Sequence, residues 1–362
     1  MKEIVEKRLG SLRTAMEERS LDALWIESRE NHLYACGFDN PDGALLVTLA
    51  GAFAFQDFRY IEAAQREIPG DLYEVIMPER PRKEWLPALL SAGGIHTVGY
   101  EDGTLSCRAL ENLKKDCPGV VFSPIGELLR EQRCVKDAYE VDCIEKAQRI
   151  AEAAFADLLP RITYTATETE LAAELEYLMK RHGAHGISFE TIAVSGTNSS
   201  SPHGVPRNVP VEKGFLTFDF GALYNGYHSD MTRTVVIGKA DAAMRRLYDT
   251  VLHAQEAVLA VIGEEQSCEK MDAIARGIIE GVPEYKGTFG HGLGHGVGLE
   301  IHELPNLSSR AGDRKLRVGE IVTVEPGIYL AGKYGCRIED MVVITPGGAR
   351  NLTACPKELA EI

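Results

Sequence analysis

At 362 residues the chain is long enough for two domains of ordinary size, and its 44% hydrophobic and 26% charged residues are those of a soluble globular protein. With 54 acidic against 39 basic side chains the formal charge is -15, which opposes contact with phosphate backbones and argues against nucleic acid or an anionic membrane as a partner. The eight cysteines are scattered without a CxxC pair, as expected of reduced thiols in a cytoplasm.

Residues 3–19 form a charged amphipathic helix pattern without the apolar stretch and cleavage site of a secretory signal, so a cytoplasmic protein is expected. The strand "ALWIES" follows. The run "ALLVTLAGAFAF" is too short to span a bilayer and breaks at Ala50-Gly51, so it reads as two buried strands and a turn. A helix "YIEAAQREI" and strands "LYEVIM" and "TVGYE" complete an α/β domain over residues 1–128. In residues 128–162, Val135, Val141, Ile144, Ala147, Ile150 and Ala154 repeat at helical spacing, predicting one long helix that opens a second domain over residues 129–362. A further helix, three strand patterns, two more helices and the strand runs "IVTVEPGIYL" and "CRIEDMVVIT" then give an α+β order.

Asn225-Gly226 is a strong two-residue hairpin signal. With that turn Tyr224 pairs with Tyr227, Asp219 falls opposite Thr232, and Gly221 falls opposite Asp230. Asp219 and Asp230 then share a sheet face as diagonal neighbours. Either acid alone reads as solvent-facing, but the register-matched pair would repel and lose hydration unless a cation lay between them. In the second hairpin a loop at residues 331–333 pairs Leu330 with Tyr334 and sets Glu325 opposite Glu339. Two hairpins with two facing carboxylates each suggest related halves around one site.

The stretch "HGLGHGVGLEIHE" carries His291, His295 and His302. The first two have the spacing of a helical HExxH zinc site, but Gly292 occupies the place of its glutamate and the glycines make a poor helix. One imidazole with four carboxylates is instead a hard, oxygen-rich set, suited to two divalent ions such as Mn²⁺. Paired ions can activate a shared water and polarise a carbonyl, so metal-assisted hydrolysis is the implied reaction.

Asp219 and Asp230 in "DFGALYNGYHSDMTRT", His295 in "HGLGHGVGLEIHELP", Glu325 in "VEPGIY" and Glu339 in "CRIEDM" resemble the metallopeptidases of the aminopeptidase P, prolidase and methionine aminopeptidase group. The resemblance implies a pita-bread catalytic domain behind a creatinase/prolidase-like N-terminal domain. It also implies that Asp219 holds one ion, His295 and Glu325 hold the other, and Asp230 and Glu339 bridge the two. Mn²⁺ is the first expectation for the metal, with Co²⁺ or Zn²⁺ as alternatives. Glu325 is implied as ligand and general base, and His203 and His302 as groups that hydrogen-bond substrate and tetrahedral intermediate. His291 is implied in the substrate pocket, and Arg337 and Tyr329 as residues that orient ligands near Asp219. A homodimer is implied as well.

The resulting expectation is an Xaa-Pro peptidase acting on small peptides with proline second. A dipeptidase should offer a cation to the substrate's free carboxylate, and the neutral Asn306 after "HELP" tilts the reading toward an aminopeptidase. Xaa-Pro dipeptidase is the alternative, with Arg207 or a partner subunit as the source of charge. A catalytically dead binding protein on the same fold is a remoter one, since all five ligands are present. His228 is expected only to line its strand, Asp340 and Arg233 to pair structurally, and Ser195 and Cys336 to lack a base that would make either a nucleophile.

Overall fold

The computed structural model describes residues 1–40 and 42–362, which divide into two compact units, Met1–Arg133 and Cys134–Ile362. The first unit runs α1 (Lys2–Glu18), β1 (Ala23–Ile26), α2 (Arg29–Cys36), β2 (Ala44–Thr48), β3 (Ala52–Phe55), α3 (Ile61–Glu67), β4 (Glu74–Ile76), α4 (Arg82–Ala92), β5 (Thr97–Tyr100), α5 (Cys107–Asp116) and β6 (Val121–Pro124). Its six-stranded sheet has the order β4-β3-β2-β1-β5-β6. The β2–β3 hairpin is antiparallel with Leu45 opposite Ala54, as the run around Ala50-Gly51 predicts.

Both faces of that sheet are covered. Leu24 and Ile26 of β1 point into one core with Leu9 and Leu12 of α1, whereas Ala23 and Trp25 point into another with Leu86, Leu90 and Leu113 from α4 and α5. Alternation along the strand thus feeds two cores, and all four β1 residues are buried. Helix α2 was not foreseen, although its punctuation is in the sequence. Ser28 caps it by accepting the Asn31 N–H, and Gly37 ends it with φ at 78°.

The long helix expected over residues 128–162 is two helices, α6 (Leu128–Cys134) and α7 (Ala138–Leu158). The break is a capping box: Asp137 accepts the Glu140 N–H and the Glu140 carboxylate accepts the Asp137 N–H, each at 3.0 Å. Val135, counted among the apolar repeats, instead forms a β-bridge with Glu320 and is 41% exposed. Helical spacing carried across the break because it reports side-chain character, while capping chemistry decides where backbone bonding restarts.

In the second unit α7 and α8 (Glu168–Arg181) precede β7 (Gly186–Ile187), β8 (Ile192–Ser195), β9 (Gly214–Phe220), β10 (Ala222–Tyr224), β11 (Tyr227–His228) and β12 (Met231–Ile237). Then α9 (Ala242–Leu259) and α10 (Cys268–Glu280) precede β13 (Gly294–Gly296), β14 (Glu303–Leu307), β15 (Ile321–Val324), β16 (Gly327–Leu330), β17 (Tyr334–Arg337), β18 (Asp340–Thr345) and β19 (Gly348–Asn351). Each helix pair backs its own sheet. Leu171, Leu175, Phe218 and Val235 share one core, and Val251, Met271, Val322 and Val342 share the other. Two helix-backed halves, each with a hairpin that carries two of the carboxylates, are the arrangement expected of a pita-bread domain.

Candidate metal centre

Both hairpins keep the expected register, and both bend at their acids. Asn225 and Gly226, each with positive φ, turn the first hairpin so that Tyr224 pairs with Tyr227 and Asp219 with Thr232. The ladder breaks at Gly221, where a Cβ would overlap the Ser229 carbonyl, and Asp230 lies in the gap between β11 and β12. In the second hairpin Val324 pairs with Asp340 and Gly327 with Arg337. Glu325 and Glu339 therefore face each other at the break between the two strand pairs. Acids at such breaks escape the flat sheet face and converge.

Asp230, His295 and Glu339 each offer a ligand atom within 4.8 Å of the others. His295 sits on strand β13, not on a helix. Its Nδ1 donates to the Gly296 carbonyl at 3.1 Å, which leaves the Nε2 lone pair facing Asp230 Oδ2 at 3.6 Å and Glu325 Oε1 at 3.4 Å. Burial, then the nearby His302, lowers the His295 pKa to about 4. A neutral imidazole lone pair aimed at two carboxylates is repulsive until a cation stands between them.

The carboxylates are short of donors. Asp219 Oδ2 accepts from Arg337 Nη2 at 2.6 Å, but Asp219 Oδ1 is buried without a hydrogen-bond partner. Glu339 accepts from Thr232 Oγ1 at 2.7 Å and Glu325 from Thr323 Oγ1 at 3.2 Å. Burial and then the neighbouring Glu339, Asp219 and Glu325 push the Asp230 carboxyl well above its usual range. Glu339 is raised well above it by burial, Glu325 and Asp219, while burial takes Glu325 up to about 8. An orphaned buried oxygen, an unpaired imidazole lone pair and four crowded carboxylates are what a pair of divalent cations would satisfy, so the residues present fit the metals.

Arg337 ties this floor to its surroundings. Besides Asp219 it donates to Thr232 Oγ1 at 2.9 Å, to the Pro202 carbonyl at 3.2 Å and to the Tyr329 hydroxyl at 2.7 Å. Tyr329 in turn donates to His291 Nε2 at 3.1 Å, and His291 Nδ1 donates to the Gly292 carbonyl at 2.8 Å. Burial, then the Arg337 charge, lowers His291 to about 4. His203 is exposed, and His302, also exposed, has its ring 4.4 Å from that of His295. His302 is lowered by burial and then by His203, so the histidines named from the sequence gather around the carboxylates.

Some supporting residues were not foreseen. Thr232 lies two residues after Asp230 and Thr323 two before Glu325, and that even spacing alone would have put each on the same face as its acid. No local signal marks Lys136, whose buried ammonium meets Glu303 at 3.0 Å, while Glu303 also accepts the Glu300 N–H at 3.1 Å below the turn that carries His302. His228 hydrogen-bonds Ser188 at 2.9 Å, Arg233 pairs with Asp340 at 2.8 Å, and Cys336 is buried. Ser195 donates to Glu168 at 2.8 Å, which is no activating base arrangement. All eight cysteines are free thiols.

Comparison with known proteins gives the same outline. Residues 142–346 match metallopeptidase family M24, and residues 8–135 match the creatinase/prolidase N-terminal domain. A Xaa-Pro dipeptidase of Pyrococcus furiosus is 37% identical over 98% of this chain and 100% of its own length. Among solved structures, a Xaa-Pro dipeptidase from Bacillus anthracis superposes with a TM-score of 0.95 at 34% identity, covering 99% of this chain and 100% of that one. An X-Pro aminopeptidase from Thermotoga maritima gives 0.90 at 33% identity, covering 96% and 100%.

Proposed function

The chain belongs to metallopeptidase family M24 and is a metal-dependent hydrolase, and from that premise we propose that it is a dinuclear Xaa-Pro dipeptidase. The observation that carries the metal chemistry is the buried, unpartnered Asp219 Oδ1 among crowded acids. Asp219, Asp230, His295, Glu325 and Glu339 would hold two divalent ions, Mn²⁺ first. Bound there, such ions would supply Lewis acidity for polarising the scissile carbonyl and lowering the pKa of a water.

The protein's own groups handle the protons. Glu325 takes a proton from the water as its oxygen bonds to the carbonyl carbon, and returns one to the proline nitrogen as the carbon–nitrogen bond breaks. An amide nitrogen leaves only as an amine, so it must gain this proton, and the nitrogen of proline, which has no N–H, departs as a secondary amine. His203 and His302 hydrogen-bond the substrate and the oxygen that gains charge, while His291 forms part of the pocket wall. Arg337 and Tyr329 keep Asp219 oriented.

The dipeptidase replaces the aminopeptidase first expected because relatives named Xaa-Pro dipeptidase align with the chain over its whole length. The aminopeptidase retains one supporting observation: Arg207, the cation considered for a substrate carboxylate, is engaged by Glu168 and Glu212. Turnover of Ala-Pro against Ala-Pro-Ala by Mn²⁺-loaded protein decides between them, and preference for the tripeptide would sink the dipeptidase. Chelation should abolish both activities and Mn²⁺ restore them. We also place the protein in a cytoplasm as a homodimer, with its catalytic domain beginning near residue 129. No helix among the described residues is long and apolar enough to cross a membrane.

A further inference from the structure

We propose that Glu168 is a positioning residue for His203. The inference rests on the peptidase reading, in which His203 meets the substrate. Glu168 opens α8, and its side chain is 0% exposed. Six donors from three residues converge on this one carboxylate. Oε1 accepts from the N–H and hydroxyl of Ser195 and from Arg207 Nη2, each at 2.8 Å. Oε2 accepts from the Arg207 N–H at 2.8 Å, Arg207 Nε at 3.0 Å and Asn198 Nδ2 at 2.9 Å.

Those three residues bracket the loop that carries His203. Asn198 also donates to the Val205 carbonyl at 3.0 Å, and from the other side Arg337 donates to the Pro202 carbonyl at 3.2 Å. Pro202 and Val205 flank His203 closely, so the imidazole is suspended between a clamp that reaches metal-site Asp219 and one that ends at Glu168. Capping α8 does not require the carboxylate, because Thr167 already does that by accepting the Glu170 N–H. Charge-assisted bonds at both ends of a short loop remove its freedom to swing, and this freedom is what an exposed catalytic histidine on a loop would otherwise have.

The test uses the Mn²⁺-loaded full chain with Ala-Pro as substrate and compares wild type, Glu168→Gln, His203→Ala and the double variant. Glu168→Gln keeps the shape and weakens the clamp, and kcat/KM should fall by about 10- to 100-fold, the cost of a reacting group displaced by about an ångström. Bound Mn²⁺ should not change, and the double variant should be no slower than His203→Ala alone, since the two act through one group. Multiplying losses, or an unaltered kcat/KM in Glu168→Gln, overturns the proposal. Arg207→Gln loosens the same clamp from its half-exposed side and serves if Glu168→Gln does not fold, while Arg207→Lys should recover part of the loss. Should wild type cleave no Xaa-Pro peptide, the functional reading fails by itself. The imidazole NMR signals of His203, recorded on protein free of paramagnetic Mn²⁺, then test the clamp: one sharp set in wild type and broadened or multiple sets in Glu168→Gln support it, and identical spectra refute it.

Discussion

Glu339 and Asp340 are neighbours on the same hairpin, 2% and 0% exposed, yet they face two different regions of the catalytic unit. Asp340 faces away from the metal centre and is met by Arg233 at 2.8 Å, Asn351 at 2.8 Å and Lys357 at 3.0 Å. Glu339 faces the centre, where Thr232 is its hydrogen-bond donor and three other carboxylates crowd it. Burial is therefore no guide to what an acid is for. The donors are, counted oxygen by oxygen: Asp340 has a partner on each oxygen, whereas Asp219 keeps an orphaned Oδ1 despite its bond from Arg337 and Glu339 has a single hydroxyl, the unmet demand that a cation from solution would fill.

Variants on either side should separate these two kinds of acid. Glu325→Gln should lower kcat by about 10²- to 10⁴-fold with the fold intact and metal bound, measured by steady-state turnover beside metal analysis. Full activity in that variant would remove the proton-transfer role and with it the functional half of the comparison. Asp340→Ala should do the reverse, costing about 3–5 kcal/mol in urea unfolding because Arg233 is left buried and unpaired, with kcat per folded molecule unchanged. A variant of normal stability would show that the outer-face network is not what completes the strand.

Glu168 belongs to the structurally complete kind and gives a pH signature. Burial alone would raise its carboxyl, but the bonds from Arg207 and Ser195 outweigh burial and hold it below the usual range. Because the folded-state value is depressed, the stability it contributes is full above the ordinary glutamate range, about pH 4–5, and is lost as pH falls through the folded-state value. The stability gap between wild type and Glu168→Gln should thus be constant at neutral pH and close in acid, and a gap independent of pH would contradict the clamp's charge. The smallest effect belongs to the exposed pair of Lys146 and Asp142, 2.7 Å apart on α7. Lys146→Ala should leave the urea midpoint unmoved; a clear drop would mean that exposed pairs cannot be set aside when carboxylates are compared.

Much of the centre was legible because strand pairing is arithmetic. Once Asn225-Gly226 is a turn, Tyr224 must meet Tyr227 and Asp219 must meet Thr232, and the same counting from residues 331–333 brings Glu325 opposite Glu339. The break in the long helix was legible too, in the Asp137 and Glu140 capping box, but apolar periodicity spoke louder. The Lys136–Glu303 pair and the six donors around Glu168 had no local signature at all.

By itself the sequence determined the chemistry of the site: four carboxylates and one imidazole at spacings that strand alternation and turn geometry convert into shared faces. Tertiary structure alone decided which buried acids were left short of donors. Asp340 and Glu339 look alike in "RIEDM", and they differ because Arg233, Asn351 and Lys357 arrive at one of them from positions that no local period connects. Hydrogen-bond supply is a property of what packs against a residue, and only the folded chain sets it.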